Sequence, residues 1–215
     1  MTNQSIDYSL YIVTDAQLSR GRSQRQVIEA AIRGGATMVQ YREKSASTRQ
    51  MIDEALELCD LCRARGVPFI VNDRVDVALA VDADGVHVGQ DDMPASLARK
   101  LIGRGKILGV SAENGDQARA AIADGADYVG AGAIFATATK ADANKPIEIA
   151  GLLKTARVCT VPMVGIGGIN AANAASVIRA GAAGIAVVSA VVSADDVERA
   201  ARELRKIVDS AKENL

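Results

Sequence analysis

The chain has 215 residues, 49% hydrophobic and 24% charged, enough for a sizeable core, and no composition break divides it, so residues 1–215 are expected to form a single domain. A net charge of −1 with acids and bases interleaved, and an aromatic content of 3%, exclude the basic stripe and the stacking platforms of nucleic-acid proteins. No window approaches 18 uninterrupted apolar residues and the first residues lack a basic-then-apolar leader, so a cytoplasmic protein with no membrane partner is expected.

Short apolar runs alternate with helical patterns along the whole chain. The predicted strands are Leu10–Thr14, Met38–Tyr41, Phe69–Val71, Gly85–Val88, Ile107–Val110, Tyr128–Gly132, Met163–Ile166 and Gly184–Val188. Helical spacing of apolar residues covers Ser23–Arg33, Thr48–Arg65, Asp116–Asp124 and Ala171–Ala180. A last helix over Asp195–Lys212 opens with acids and ends with bases, as the helix dipole prefers. Within Thr48–Arg65, Cys59-Asp-Leu-Cys62 has the C-x-x-C spacing of redox and zinc motifs. Both thiols share a helical face with Met51, Ala55 and Leu58, and no second ligand pair exists, so they are expected in the core.

Eight such units predict an α/β fold of the (β/α)8 TIM-barrel type. A weak repeat supports the count: Gly35-Ala-Thr, Ala83-Asp-Gly, Gly125-Ala-Asp and Gly181-Ala-Ala each sit where a helix gives way to an even-numbered strand. An open doubly wound sheet would want a glycine-rich turn after its first strand, and Asp15-Ala-Gln-Leu-Ser-Arg-Gly-Arg is not one.

Barrels carry their chemistry at the C-terminal ends of the strands. Those ends here form a polar ring. Strand two ends with Gln40, Arg42 and Lys44 on one side, strand three with Asn72 and Asp73, and strand four with Gln90, Asp91 and Asp92. Ser111 ends strand five, Thr137, Thr139 and Lys140 follow strand six, Gly167-Gly168 ends strand seven, and Val188-Ser189 ends strand eight.

Neighbouring parallel strands lie about 4.8 Å apart, so Asp73 and an acid of the Asp91-Asp92 pair come close enough to repel unless they share a proton or a cation. With no cysteine or second histidine nearby, the fitting cation is Mg²⁺, which takes one or two carboxylates and completes its shell with water and phosphate. The same residues would also serve as a helix cap (Asp73) and a solvated turn (Asp91, Asp92). Arg42, Lys44 and Lys140 with the hydroxyls of Ser111, Thr137 and Thr139 suit a polyanion, and the Gly167-Gly168 turn with Val188-Ser189 suits a second phosphate. Each of these segments taken alone is an ordinary surface loop; their coincidence at one rim is not. The single histidine, His87, lies mid-strand and reads as a hydrogen-bonded barrel residue rather than a proton shuttle.

Leu-Tyr-Ile-Val-Thr-Asp15, Val-Gln40-Tyr-Arg42-Glu-Lys44, Asn72-Asp73-Arg, Asp-Gly-Val-His87-Val-Gly-Gln90-Asp-Asp92, Gly-Val-Ser111, Thr137-Ala-Thr139-Lys140 and Val-Gly-Ile-Gly167-Gly168-Ile resemble, in order and spacing, the thiamine phosphate synthase family over about residues 9 to 190. The resemblance implies a transferase that joins hydroxymethylpyrimidine diphosphate to a thiazole phosphate, or its carboxylated form, and releases pyrophosphate. It implies Mg²⁺ on Asp73 and Asp92, with Arg42, Lys44, Asn72, Ser111 and Lys140 gripping the diphosphate and Gln40 on the pyrimidine. Arg42, Lys44, Ser111 and Lys140 would carry the catalytic burden, and Thr137, Thr139, Gly168, Val188 and Ser189 would hold the thiazole phosphate. Assembly into a homo-oligomer is compatible with the sequence.

Two segments depart from the family pattern. Ser111-Ala-Glu-Asn-Gly-Asp lacks a histidine often found after that serine, and alanines stand at Ala133, Ala136 and Ala138 where prolines are common. A sister tautomerase would need a loop histidine and would lack the full metal and Thr-x-Thr-Lys set, the reverse of what this chain carries. A barrel that binds phosphorylated metabolites without turnover would not need the intact set of cations and carboxylates. Lys140, on a loop beside those acids, is expected as a charged amine rather than a Schiff-base lysine.

Overall fold

A strand buried on both faces carries an unbroken apolar run, because neither side meets water. The computed structural model, which describes residues 6–137 and 145–215, has eight such strands. They are β1 (Leu10–Val13), β2 (Met38–Tyr41), β3 (Phe69–Asn72), β4 (Gly85–Val88), β5 (Ile107–Ala112), β6 (Tyr128–Ala131), β7 (Met163–Ile166) and β8 (Gly184–Val187). Each pairs in parallel with the next, and β1 pairs with β8, Leu10 opposite Ile185, which closes the (β/α)8 barrel. Strand ends move by a residue or two from the expected ones. β5 is longer because Ser111 and Ala112 keep their register with Gly130 and Ala131. β8 is shorter because Val188 leaves the sheet to accept the Val192 N–H at the start of a short helix.

The helices around the barrel are α1 (Gln24–Arg33), α2 (Thr48–Ala64), α3 (Val75–Ala80), α4 (Ala95–Ile102), α5 (Gly115–Ala123), α6 (Glu148–Ala156), α7 (Ala174–Arg179), α8 (Ser189–Val192) and α9 (Val197–Glu213), with a 3₁₀ turn at Gln17–Ser19. Reciprocal capping boxes, Ser23 with Gln26 and Ser47 with Gln50, start α1 and α2. Helix α7 begins later than its sequence pattern predicts. The Asn170 N–H donates to Asn173 Oδ1 and the Asn173 N–H to the Asn170 carbonyl, so this first stretch is a turn instead.

The repeat has a structural meaning. Gly35, Asp82, Gly125 and Gly181 all adopt positive φ at the ends of their helices, and the alanine after each donates back to the residue five before it, the signature of a left-handed helix stop. The position after that alanine then ties down the preceding strand: Thr37 Oγ1 accepts from the Leu10 N–H, Asp84 from Phe69 and Asp127 from Leu108. The second copy is thus Asp82-Ala83-Asp84, one residue earlier than it reads in the sequence.

Two apolar clusters lie between barrel and helices, one centred on β2–β5 and one on β7, β8 and β1. Cys59 and Cys62 are buried free thiols in the first, with burial pushing Cys62 up to about 12, as expected of packing residues. A third cluster fills the barrel itself: Tyr11, Val13, Met38, Ile70, Tyr128, Val164 and Ala186. Residues two further along the same strands are Gln40 after Met38 and Asn72 after Ile70, so the period of the strand turns an apolar plug into a polar floor at the C-terminal rim.

Candidate active site

The rim begins at β2. Alternation keeps Gln40 inside, 4% exposed, where its Nε2 donates to Tyr11 Oη at 2.8 Å. Two residues on, the Arg42 guanidinium donates to Asp15 Oδ2 at 2.6 Å, in a pair that is mostly shielded from water. Lys44 Nζ reaches across to Asp73 Oδ2 at 2.5 Å. Asp73 follows β3 with a φ of +61°, a left-handed conformation that aspartate tolerates better than most side chains. Its N–H donates to the His87 carbonyl at 2.7 Å, which anchors the bend to β4.

Asp92 folds back at the end of β4 and accepts the Gly89 N–H on Oδ2 at 2.7 Å. Burial first, and then the carboxylate of Asp73 beside it, push its carboxyl above the ordinary value, while the Gly89 amide and Lys44 oppose the rise. Asp91 is exposed, so Asp92 is the member of the acidic pair that faces Asp73. Among the described residues no three or more His, Cys, Asp and Glu side chains are grouped so that they could hold a metal ion. The pair fits a hard cation that takes only two protein carboxylates: both donors are oxygen, and Lys44 is the one cation bonded to either acid among the described residues.

Ser111 stands on β5 with its Oγ 2.9 Å from His87 Nε2, and its carbonyl accepts from Gln90 Nε2 at 2.6 Å. His87 is buried and hydrogen-bonded on both ring nitrogens, Nδ1 lying 2.9 Å from Tyr128 Oη. Burial holds the imidazole down at about 4, with Asp73 pulling weakly the other way. It is a barrel residue, as its position mid-strand suggests.

On the far side, Gly167 and Gly168 turn the chain with φ of +96° and +66°. A Cβ on Gly168 would lie 2.6 Å from the Ala136 carbonyl oxygen, so only glycine lets this turn press against the loop after β6. The Phe135 N–H donates to Gly167 O at 3.0 Å and Asn173 Nδ2 to Gly168 O at 3.0 Å, which fixes it from both sides. Val188 and exposed Ser189 begin α8 at the end of the adjacent strand β8. Thr137 is partly buried at the edge of the described β6 loop; Thr139 and Lys140 lie outside the described residues.

Gln40, Arg42, Lys44, Asn72, Asp73, Asp92 and Ser111 therefore share one sector of the rim, on β2 to β5, and Gly168, Val188 and Ser189 share another, on β7 and β8. Two features escape the sequence reading. Asp15 is the partner of Arg42, although β1 and β2 are neighbours and Asp15 follows β1 directly. Tyr11 and Tyr128 belong to the polar floor, legible only once strand register places their hydroxyls against Gln40 and His87.

Such a rim defines a class: a (β/α)8-barrel enzyme equipped for phosphorylated small molecules. The family profile described as thiamine monophosphate synthase matches residues 10–191. A thiamine-phosphate synthase of Chloroflexus aurantiacus is 69% identical over 97% of this chain and 96% of that protein, and one of Moorella thermoacetica is 51% identical over 95% and 98%. The structure of a thiamine phosphate pyrophosphorylase from Pyrococcus furiosus superposes with a TM-score of 0.89 at 44% identity, covering 96% of this chain and 98% of that one. A 3-hexulose-6-phosphate synthase, at 18% identity and a TM-score of 0.70, shares the fold alone. The chain belongs to the thiamine monophosphate synthase family, and is a transferase of thiamine biosynthesis.

Proposed function

We propose that the protein joins hydroxymethylpyrimidine diphosphate to thiazole phosphate, plain or carboxylated, giving thiamine phosphate and pyrophosphate. The observation that carries this reading is the carboxylate pair Asp73–Asp92, with Lys44 bonded to Asp73, and Arg42 two residues before Lys44, both just past the end of β2. A diphosphate placed there meets cations from one strand and paired acids from the next two.

Pyrophosphate departs from a benzylic-type carbon, and the electron-rich aminopyrimidine stabilises the cation left behind before the thiazole nitrogen attacks. The protein then has to position two substrates and compensate charge on the leaving group; no general base is required. Asp73 and Asp92 are the residues that would hold Mg²⁺, which when bound neutralises the diphosphate oxygens. With a cation held by the two acids, Lys44 would be free to turn from Asp73 to the diphosphate, and Arg42, steadied by Asp15, presents a planar fork to the same anion. Asn72, Ser111 and Lys140 add donors, and Gln40 orients the pyrimidine. The thiazole phosphate lies at Thr137, Thr139, Gly168, Val188 and Ser189, in the position where barrels commonly bind phosphate after strands seven and eight.

Residues 1–215 act as one domain, in the cytoplasm, where charged phosphorylated metabolites are retained; no helix among the described residues is long and apolar enough to cross a membrane. Self-association is compatible with this reading. Incubation with both substrates and Mg²⁺, followed by oxidation and fluorescence detection of thiamine phosphate, tests it. Failure to form that product would refute the reaction, and full activity in excess chelator would refute the metal.

A further inference from the structure

The barrel floor holds a run of hydrogen bonds that the reaction above does not use. Gln40 Nε2 donates to Tyr11 Oη at 2.8 Å, the Tyr11 and Tyr128 hydroxyls are 2.9 Å apart, Tyr128 Oη is 2.9 Å from His87 Nδ1, and His87 Nε2 is 2.9 Å from Ser111 Oγ. The run crosses β2, β1, β6, β4 and β5, and so connects Gln40 to Ser111 through the middle of the barrel. Its three inner members are shut away from water: Tyr11 is 1% exposed, Tyr128 0% and His87 9%.

Each link holds one hydrogen. A phenol has one to give, and a neutral imidazole carries one on either nitrogen and accepts on the other. Both ring nitrogens face hydroxyls rather than carboxylates and the three groups are shut away from water, where an unpaired charge is costly, so the run holds a neutral imidazole and two phenols and its number of hydrogens is constant. With Gln40 donating, Tyr11 must donate to Tyr128, Tyr128 to His87 Nδ1, and His87 must carry its hydrogen on Nε2 and give it to Ser111. The serine's own hydrogen is then directed away from His87. Turning the Gln40 amide over puts its carbonyl against Tyr11 and reverses every link, so that Ser111 donates to His87 and shows only lone pairs outward. Any mixed arrangement leaves a buried donor or acceptor unmatched, at a cost of about 1–3 kcal/mol. The run therefore has two senses and no comfortable intermediate.

We propose that Tyr11, Tyr128 and His87 are positioning residues of a directional relay that couples the Gln40 amide to Ser111, making the serine a hydrogen donor to the diphosphate when the pyrimidine offers an amino group to Gln40. This rests on the roles given above to Gln40 and Ser111. An amino group donates, so it takes the Gln40 carbonyl and leaves Nε2 for Tyr11, the one side-chain partner of Gln40 among the described residues. A pyrimidine with a ring carbonyl in that place takes Nε2 instead, reverses the relay and sets serine lone pairs against anionic oxygen. The relay thus converts the identity of one ring substituent into the polarity of a contact on the leaving group, and rejects oxo analogues at the chemical step as well as in binding.

Because His87 is the only histidine, ¹⁵N NMR of its imidazole reads the sense of the relay directly. In protein bound to hydroxymethylpyrimidine diphosphate and Mg²⁺, without thiazole, the hydrogen is expected on Nε2. In ligand-free Gln40→Glu at pH 8 the introduced carboxylate can only accept, and the hydrogen moves to Nδ1. In a Tyr11→Phe background, which cuts the run, adding Gln40→Glu leaves the tautomer unchanged. Tyr11→Phe alone, which keeps the question decidable if Gln40→Glu does not fold, is expected to lower kcat about tenfold while KM for hydroxymethylpyrimidine diphosphate stays within about threefold. The same tautomer in folded Gln40→Glu and bound wild type overturns the relay, as does Tyr11→Phe with kcat intact. A wild type that makes no thiamine phosphate yet shows the tautomer reversal would sink the reaction reading and leave the relay standing.

Discussion

Asp92 shows how one side chain is set for a task that costs stability. Its carboxyl is pushed up by burial and by Asp73, so the folded chain holds two acids closer than either prefers. Asp92→Asn removes that repulsion. It is expected to leave the melting temperature equal or higher while cutting pyrophosphate release about a hundredfold or more, on the scale of losing one key electrostatic group; parallel melting and release assays check both halves. His87 carries the opposite kind of shift. The unfolded chain takes up a proton near the ordinary value of 6.5 and the folded chain only near 4. Between those limits the unfolded state binds more protons, so His87 costs nothing above 6.5 and erodes stability as pH falls towards 4, by on the order of 3 kcal/mol. NMR titration of ligand-free protein should place this imidazole below 5, and the loss of urea stability from pH 7.5 to 5 should be smaller in His87→Asn. The acids at the rim were legible from their place after two apolar runs. The partner of Arg42 was not, because Asp15 and Arg42 are 27 positions apart and meet only through strand pairing.

Elements divide the labour between the two ends of the barrel. At the N-terminal end, Asp84 accepts the Phe69 N–H at 2.8 Å, a stitch made by the repeated helix stop and far from the rim residues at the other end of the strands. Asp84→Ala leaves a buried donor unmatched and is expected to cost about 1–3 kcal/mol in denaturant, with kcat/KM unchanged. Removing the α2 cap with Ser47→Ala should cost about 1 kcal/mol, because the Gln50 N–H loses its acceptor and Gln50 Oε1 loses the hydroxyl that donates to it. Helix and strand periods made these elements visible in the sequence. The short helix α8 was not visible, since Ser189-Ala-Val-Val192 continues the apolar run of β8, and only the barrel's closure forces the chain to turn there. The repeat was visible but out of register at Asp82, where aspartate takes the left-handed turn that glycine marks elsewhere.

For the whole molecule, stability and ligand binding meet at the rim. Pyrophosphate with Mg²⁺ is expected to raise the melting temperature more than either alone, by an amount corresponding to about 2.7 kcal/mol at a hundredfold excess over the dissociation constant, and chelator should abolish the gain. Equal stabilisation by pyrophosphate without metal would count against the carboxylate pair as its anchor. By itself the sequence determined the eight βα units, the acids and bases at the strand ends and the glycine turn, because period, capping and turn chemistry are local properties of the chain. Only the tertiary structure decided which of those residues face one another. Closing the barrel brings β1 and β6 side chains to the same floor as those of β2, β4 and β5, so the polarity of the line from Gln40 to Ser111 exists in no single segment and follows from register alone.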